Sequence, residues 1–262
     1  MLLAIDVGNT NIVLGVFKGE DLVHSWRLAT MRERTADELG LVILSLCRHH
    51  GIKREDVTGI IIGSVVPPLT GTMVAMAREY FGNEPLNLEP AVNSGMPILY
   101  DNPREVGADR VVNGIAAYEA YGRAHGRAII VVDFGTATTF DAVSAKGEYL
   151  GGVICPGPQI SADALFQRAA KLPRIEVRKP DRVIGTNTVN SMQSGLFWGY
   201  VDMVEGLVRR MREELGGDVT VVATGGLASL VAPETKSVNH VDGELTLRGL
   251  RIVWERNRGT EN

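Results

Sequence analysis

The sequence contains the same short pattern twice, in positions 127 residues apart. In each copy an apolar run ends in an Asp, a Gly stands two positions later in a polar turn, and a second β-rich run follows. The copies are Asp6 to Asn11, DVGNTN, and Asp133 to Thr138, DFGTAT. This repeat distance is too long for a solenoid and suits two related domains in one chain. We therefore expect a duplicated α/β architecture.

The hydrophobic pattern around each copy predicts strands followed by helices. Both turns are predicted to lie in three-strand meanders, because apolar β-rich runs alternate with polar turns. Two further apolar runs, at 58–64 and 218–223, predict buried strands. Helical spacing of apolar residues predicts helices at 35–50, 67–81, 104–121, 161–171, 188–215 and 244–256. We expect two domains, 1–115 and 116–262, each with one turn.

Composition narrows the partners and the compartment. The formal net charge of -4 and the pI near 5.8 argue against a nucleic-acid partner, since phosphate backbones are bound by an excess of Lys and Arg. Cys47 and Cys155 are too few for a disulfide framework, which suits a reducing compartment. The start, MLLAID, lacks a basic leader, and no apolar run reaches the roughly 18 to 20 residues that span a bilayer. We expect a cytoplasmic protein with no membrane partner.

The residue types in the first turn suit phosphate binding. Gly8 carries no Cβ, so backbone N–H groups and hydroxyls can approach a phosphate closely. Asp6 could hold a metal ion, or water bound to it, against those phosphates. A plain hairpin is the alternative for one turn alone. The second copy favours function, because a phosphate turn in each half is what a kinase needs to enclose ATP.

Several segments together resemble one family. They are IDVGNTN at 5–11, GADR at 107–110, DFGTATTFD at 133–141, GGVICPG at 151–157, GTNTVNSMQSG at 185–195 and TGG at 224–226. The chain resembles the acetate and sugar kinase, Hsp70 and actin superfamily, and more closely the type III pantothenate kinases. The resemblance implies duplicated ribonuclease H-like (actin-like ATPase) domains, each a mixed sheet with flanking helices. It also implies ATP-dependent phosphorylation of pantothenate to 4'-phosphopantothenate, the first step of coenzyme A biosynthesis.

The resemblance further implies residues for ATP and for cations. The implied ATP-binding residues are Asp6, Val7, Gly8, Asn9, Thr10, Asn11, Ile12, Val13 and Thr136. Mg²⁺ would bind with the nucleotide, and a monovalent cation, K⁺ or NH₄⁺, would bind at Asp133. From the residues alone, a carboxylate beside hydroxyls and carbonyls suits K⁺ and Mg²⁺ equally, so that choice stays open.

A second set of residues is implied for pantothenate. Its members are Tyr100, Gly107, Ala108, Asp109, Arg110 and Thr188, with Asp109 as the general base. Read without the family, Asp109 is better explained as a helix-capping charge, and Tyr100 as an amphipathic aromatic at a domain edge. Thr188 could be the N-cap of the long helix. A homodimer with substrate sites near the subunit boundary is also implied.

Two other functions remain open at this stage. One is a non-catalytic nucleotide-binding regulator, which Asp109 and the two phosphate turns argue against. The other is a related sugar or carboxylate kinase, since a fold alone does not fix the substrate. At the end of a predicted strand, 224–226 could contact adenosine or simply form a tight turn.

Overall fold

The computed structural model describes residues 1–258, which form ten strands and eight α-helices. The strands are β1 Leu2–Val7, β2 Asn11–Lys18, β3 Asp21–Ala29, β4 Gly59–Ser64, β5 Leu86–Asn87, β6 Ala128–Phe134, β7 Ala137–Val143, β8 Tyr149–Pro156, β9 Val219–Gly225 and β10 His240–Val241. The helices are α1 Ala36–His49, α2 Pro67–Met76, α3 Pro90–Asn93, α4 Ala108–Ala117, α5 Pro158–Arg168, α6 Thr188–Leu215, α7 Ala228–Val231 and α8 Leu245–Arg258. The described chain divides into two compact units, Met1–Ala116 with 245–258, and Ala117–Glu244.

The first unit is built on a mixed sheet with the order β3-β2-β1-β4-β5. β1 pairs antiparallel with β2 and parallel with β4. One face of the sheet carries alternate apolar residues that pack with α1 and α2 in a single core. α1 begins where the sequence predicts, because Thr35 and Glu38 form a capping box at its N-terminus.

The other face of this sheet is covered by α8, the last helix of the chain. A Cβ on Gly15, Gly59 or Gly63 would lie within 3.0 Å of the side chain of Leu247, Trp254 or Leu250, respectively. Strand glycines thus make room for one face of the helix. The predicted second domain, 116–262, therefore differs from the observed unit at its C-terminal end. The residues in contact are far apart in the sequence, so local patterns do not indicate that α8 packs on the first sheet.

The second unit contains an equivalent sheet, with the order β10-β9-β6-β7-β8. β6 pairs antiparallel with β7 and parallel with β9. The core lies between this sheet and α6, whose Phe197, Val201, Val204 and Val208 are buried at helical spacing. The bounds of α6 are those that the sequence predicts.

The two sheets share one strand order, which confirms the predicted fold class of duplicated α/β units. In each sheet the strand before the turn is central and ends beside a parallel strand. Asp6 is the register partner of Gly63 on β4, and Asp133 is the partner of Thr224 on β9. The two Asp residues therefore occupy equivalent places at the carboxyl ends of equivalent strands.

Some predicted boundaries shift. The predicted helix 104–121 is shorter, since α4 begins at Ala108 after a separate 3₁₀ turn, Pro103–Glu105, that is capped by Asn102. α5 lies three residues earlier than the predicted 161–171, with Pro158 at its first position. None of the helices within residues 1–258 is both long and apolar enough to cross a membrane.

Candidate active site

The first turn closes the hairpin between β1 and β2. Val7 and Ile12 are the last paired residues, and inside them the Gly8 N–H donates to the Asn11 carbonyl at 3.0 Å. Val7 and Ile12 are buried in the core of the sheet, so their side chains cannot reach a ligand. Asp6 is partly exposed on the opposite face of the strand. A ligand at this turn would meet Asp6, the backbone and the polar side chains.

Thr30 fixes the orientation of the peptide groups in this turn. Its hydroxyl donates to the Gly8 carbonyl at 2.7 Å, and its N–H donates to the Thr10 carbonyl at 3.0 Å. In a trans peptide the N–H points opposite to the C=O of the same plane. The N–H groups of Asn9 and Asn11 therefore point away from Thr30. Partial positive charges aimed to one side of a turn are a typical anion-binding arrangement.

The end of β4 connects the first turn to the segment that carries Asp109. The Val65 N–H donates to the Val7 carbonyl at 3.0 Å, directly below the turn. On its other side, a Cβ on Gly107 would lie 3.5 Å from Cγ1 of Val65. The first unit therefore brings the Asp6 turn and Gly107–Asp109 to neighbouring positions.

Asp109 lies in the first turn of α4, with its carboxylate folded back over Gly107. A Cβ at Gly107 would lie 2.5 Å from Oδ1 of Asp109, so a larger residue here would displace the carboxylate. Oδ1 accepts a hydrogen bond of 2.8 Å from the Arg110 N–H. Burial raises the pKa of Asp109, and the Arg110 hydrogen bond and charge oppose that rise only partly. Asp109 thus lies in the first turn of a helix, as the residues alone predict, and has a raised pKa.

The other predicted pantothenate residues of the first unit lie near α4 or before it. Ala108 and Arg110 are buried at the start of α4, on either side of Asp109. Tyr100 lies in an irregular segment and is partly buried. Its neighbour Leu99 is exposed, so the chain here runs along the surface of the unit.

The second turn is one residue shorter than the first. Phe134 and Thr138 are paired across it, where Val7 and Ile12 are paired across the first. The Gly135 N–H donates to the Ala137 carbonyl at 3.1 Å. The two turns therefore share a fold position and differ in loop length.

Gly157 donates a hydrogen bond to a carbonyl of the second turn, as Thr30 does to carbonyls of the first. Its N–H donates to the Thr136 carbonyl at 3.1 Å, which directs the Ala137 N–H to the opposite side. A Cβ at Gly157 would lie 2.3 Å from the same carbonyl oxygen. Only glycine permits this approach, and α5 begins at the next residue.

The surroundings of Asp133 suit a cation. A Cβ at Gly225 would lie 2.4 Å from its Oδ1, and one at Gly135 would lie 3.7 Å away. The absence of a side chain at Gly225 thus lets the end of β9 lie close to this carboxylate oxygen. Gly225 has φ +91°, in the left-handed region that favours glycine. A carboxylate beside backbone carbonyls and hydroxyls is a donor set for a hard cation, so the residues present fit K⁺ or NH₄⁺.

Thr188 lies in a separate part of the second unit. It lines an open groove of about 780 Å³ between the C-terminal half of α5 and the start of α6. The predicted N-cap role is wrong, because Asn187 is the N-cap and accepts from the Asn190 N–H at 2.9 Å. Thr188 is the first residue of the helix, so its hydroxyl is not required by that cap.

Thr224 and Gly225 belong to β9 itself, beyond the predicted end of the strand at 223. Thr224 is buried, and Gly225 lies opposite Phe134 at the end of β6. The predicted tight turn at 224–226 therefore begins only at Gly226, between the end of β9 and the start of α7. Among residues 1–258, no three His, Cys, Asp or Glu side chains are grouped so that they could hold a metal ion.

Two equivalent sheets, each with a polar turn at the end of its central strand, define a protein of the actin-like ATPase class. One solved structure with this fold is an inorganic polyphosphate/ATP-glucomannokinase from Arthrobacter sp. strain KM, with a TM-score of 0.52 and 15% identity over 98% of each chain. The sequence profile of the type III pantothenate kinases matches residues 2–210. The chain therefore belongs to the type III pantothenate kinase family.

Two relatives illustrate how closely the family is matched. The type III pantothenate kinase of Myxococcus xanthus (strain DK1622) is 58% identical, and 99% of this chain aligns with all of that protein. The protein of the same name from Moorella thermoacetica is 57% identical over 98% of this chain and all of its own length. The predicted family and the predicted kinase class are confirmed.

Sequence reasoning missed Thr30 and gave Gly157 no separate role. Thr30 follows an ordinary exposed strand, and only the pairing of β3 with β2 brings it to the first turn. Gly157 stands before a proline at the start of a helix, which is a recognisable signal for close backbone approach. The sequence therefore indicates a close approach at Gly157. It does not indicate that the approaching group is the Thr136 carbonyl.

The raised pKa of Asp109 predicts the stability of a variant. At neutral pH the desolvated carboxylate costs stability, so Asp109→Asn should raise the melting temperature, by about 2–4 °C for each kcal/mol recovered. The gain should shrink as the pH falls through the raised pKa, since Asp109 then becomes neutral too. Thermal melts of both proteins from pH 8 to pH 5 measure this. A variant less stable than the parent at pH 8 would contradict the assignment.

Proposed function

We propose that this protein transfers the γ-phosphoryl group of ATP to the primary hydroxyl of pantothenate, giving 4'-phosphopantothenate and ADP. Membership of the family supports the substrate. The observation that carries the mechanism is the position of Asp109. A carboxylate with a raised pKa lies beside the end of β4, which is hydrogen-bonded to the first turn.

In this proposal the first turn binds the phosphates of ATP. The N–H groups of Asn9 and Asn11 point away from Thr30 and supply partial positive charge to phosphate oxygens. Asp6, on the same hairpin, would hold the Mg²⁺ that accompanies the nucleotide, which would offset the charge of the phosphates. Thr136 contributes the corresponding contact from the second turn. The stretch Asp6 to Val13 acts through its backbone at Val7 and Ile12, whose side chains are buried.

Asp109 is proposed as the general base. As the pantothenate oxygen bonds to the γ-phosphorus, the bond from that phosphorus to the β–γ bridging oxygen breaks, and ADP leaves. The hydroxyl proton passes to the Asp109 carboxylate. Desolvation strengthens this carboxylate as a base, because its neutral form is favoured after the transfer. Positioning supplies most of the rate, as is usual for phosphoryl transfer.

The remaining proposed residues position pantothenate or bind the cation. The Arg110 guanidinium is suited to the pantothenate carboxylate, since a planar fork can make two parallel hydrogen bonds. Tyr100, Gly107, Ala108 and Thr188 are proposed as further contacts. Asp133 is proposed to bind K⁺ or NH₄⁺ through its carboxylate, at the end of β6 beside Gly225. We propose a cytoplasmic location, which suits the two free thiols, Cys47 and Cys155.

We further propose that the protein is a homodimer and that the groove around Thr188 lies at the interface. Exposed apolar side chains lie on the chain segments that line or adjoin this groove. Ile184 is 82% exposed and Val183 is 64% exposed, and Leu165 and Phe166 on α5 are exposed as well. An apolar surface of this kind on one face is typical of a protein–protein contact.

The first test of the proposal is catalytic. ADP release from ATP should depend on pantothenate and should be faster with K⁺ than without it. Asp109→Asn should lower kcat by about 10²–10⁴-fold, because the base is lost while the shape is kept. Asp21→Asn, at the exposed first residue of β3, is the matched control and should keep full activity. No response to pantothenate in the parent protein would refute the proposed function.

The second test concerns the first turn. Thr30→Val removes the hydroxyl that holds the Gly8 carbonyl and should weaken ATP binding by about two- to tenfold. Thr30→Ser keeps the hydroxyl and should restore binding. Thr58→Val is the control, because its hydroxyl bonds to Met1 at the opposite end of β1. Calorimetric titration with ATP measures all four proteins, and equal affinities would refute this role for Thr30.

The third test concerns assembly. Ile184→Asp places a charge in the proposed interface and should convert a dimer into monomers. Leu41→Asp is the matched control, since Leu41 is 63% exposed on α1 of the first unit. Sedimentation velocity reports the mass of each protein. A parent protein that sediments as a monomer, or an unchanged dimer in Ile184→Asp, would contradict the proposal.

A further inference from the structure

One carboxylate of the second unit has no part in the mechanism above. Asp141 lies in the middle of β7 and is 0% exposed. Its Oδ1 accepts a hydrogen bond of 2.7 Å from the Tyr149 hydroxyl, and its Oδ2 accepts one of 3.0 Å from the Thr139 hydroxyl. Burying a carboxylate is costly, so a chain that keeps one at such a position requires a reason for it.

The register of the sheet connects this carboxylate to the proposed cation residue. Thr139 is the direct partner of Asp133 across β6 and β7, and Asp141 is two residues further along the same face. Directly opposed residues have Cβ atoms about 4.5–5.5 Å apart. The Thr139 oxygen is therefore within reach of a cation bound to the Asp133 carboxylate.

The hydrogen bond to Asp141 decides which part of the Thr139 hydroxyl faces that cation. A hydroxyl has one proton and two lone pairs, and the proton of Thr139 is donated to Asp141. Only lone pairs remain to be directed toward Asp133, and lone pairs are what a cation requires.

Tyr149 donates a hydrogen bond to the other oxygen of the Asp141 carboxylate. It is fully buried, and its hydroxyl reaches Asp141 past Gly152, which is the partner of Asp141 on β8 and carries no side chain. The Tyr149 hydrogen bond holds the other carboxylate oxygen, so the carboxylate cannot rotate away from Thr139 without losing it. Both hydroxyls therefore fix the orientation of one buried anion.

We propose that Asp141 and Tyr149 are positioning residues that present the Thr139 hydroxyl oxygen as a ligand for the monovalent cation at Asp133. This inference rests on the proposed function, since it assumes that a cation bound at Asp133 assists ATP binding. Residues that orient a metal ligand typically change metal affinity by about 10–100-fold when they are replaced. In this proposal the effect of the cation on ATP affinity depends on Asp141 and Tyr149, although neither residue is proposed to contact ATP or pantothenate.

The test is the affinity for ATP in KCl and in choline chloride at equal ionic strength, measured by calorimetry without pantothenate. The parent protein should bind ATP more tightly in KCl. Thr139→Val should abolish that difference, and Thr139→Ser should restore it. Asp141→Asn should raise the K⁺ concentration for half of the effect by about 10–100-fold. Tyr149→Phe should change it in the same direction.

Thr138→Val is the matched control. Thr138 is the preceding residue of β7, so its side chain lies on the opposite face of the sheet. It is fully buried, and within residues 1–258 its hydroxyl has no hydrogen-bond partner. Its removal should leave the ratio of affinities in KCl and choline chloride unchanged.

Three results would overturn the inference. The parent protein could bind ATP equally in both salts, Thr139→Val and Asp141→Asn could keep the K⁺ response of the parent, or both could weaken ATP binding equally in the two salts. The last result would assign Asp141 a structural role only. If Asp141→Asn does not fold, Thr139→Val and Tyr149→Phe decide the question. Pantothenate-dependent ADP release by the parent protein separates these failures from a failure of the proposed function.

Discussion

The parallel pairing of a central strand with a strand that returns beside it is the constraint on which this molecule depends. In the first sheet β1 pairs in parallel with β4, and in the second sheet β6 pairs in parallel with β9. Ligands of open α/β sheets bind beyond the carboxyl ends of such strands. Because the pairing aligns those ends, Asp6 comes to lie beside Gly63, and Asp133 comes to lie beside Thr224. The chemistry proposed for each unit begins from these neighbours.

The turns after β1 and β6 occupy equivalent positions, but different residues hold their carbonyl groups in place. The first turn has its carbonyls bound by Thr30 from a neighbouring strand, and the second has one bound by Gly157 from the start of a helix. A side-chain hydroxyl adapts to small shifts, whereas a backbone N–H with no space for a Cβ holds the turn at one fixed distance. The shorter second turn is thus the more tightly defined of the two. This difference fits the separate roles proposed for them, phosphate binding at Asp6 and cation binding at Asp133.

Local signals in the sequence predicted much of this structure, and long-range packing accounts for what they missed. The bounds of α6 and the two Asp-Gly turns follow from apolar spacing and turn chemistry, which neighbouring residues determine. The assignment of α8 to the first unit was missed, because it depends on Gly15, Gly59 and Gly63 meeting side chains more than 180 residues away in the sequence. The link from Asp133 to Asp141 was missed for a related reason, since it requires the register of β6 against β7.

Asp109 is partly buried and Asp141 is fully buried, and the surroundings of the two carboxylates suit different roles. Oδ1 of Asp109 accepts a hydrogen bond from the Arg110 N–H, and the pKa of Asp109 is raised, because burial outweighs its backbone hydrogen bonds and the Arg110 charge. A raised pKa suits a group that is proposed to accept a proton. Asp141 accepts one hydroxyl proton at each of its two oxygens, so both oxygens are held in place. A carboxylate held at both oxygens keeps a fixed direction, which is what a positioning residue beside a cation requires.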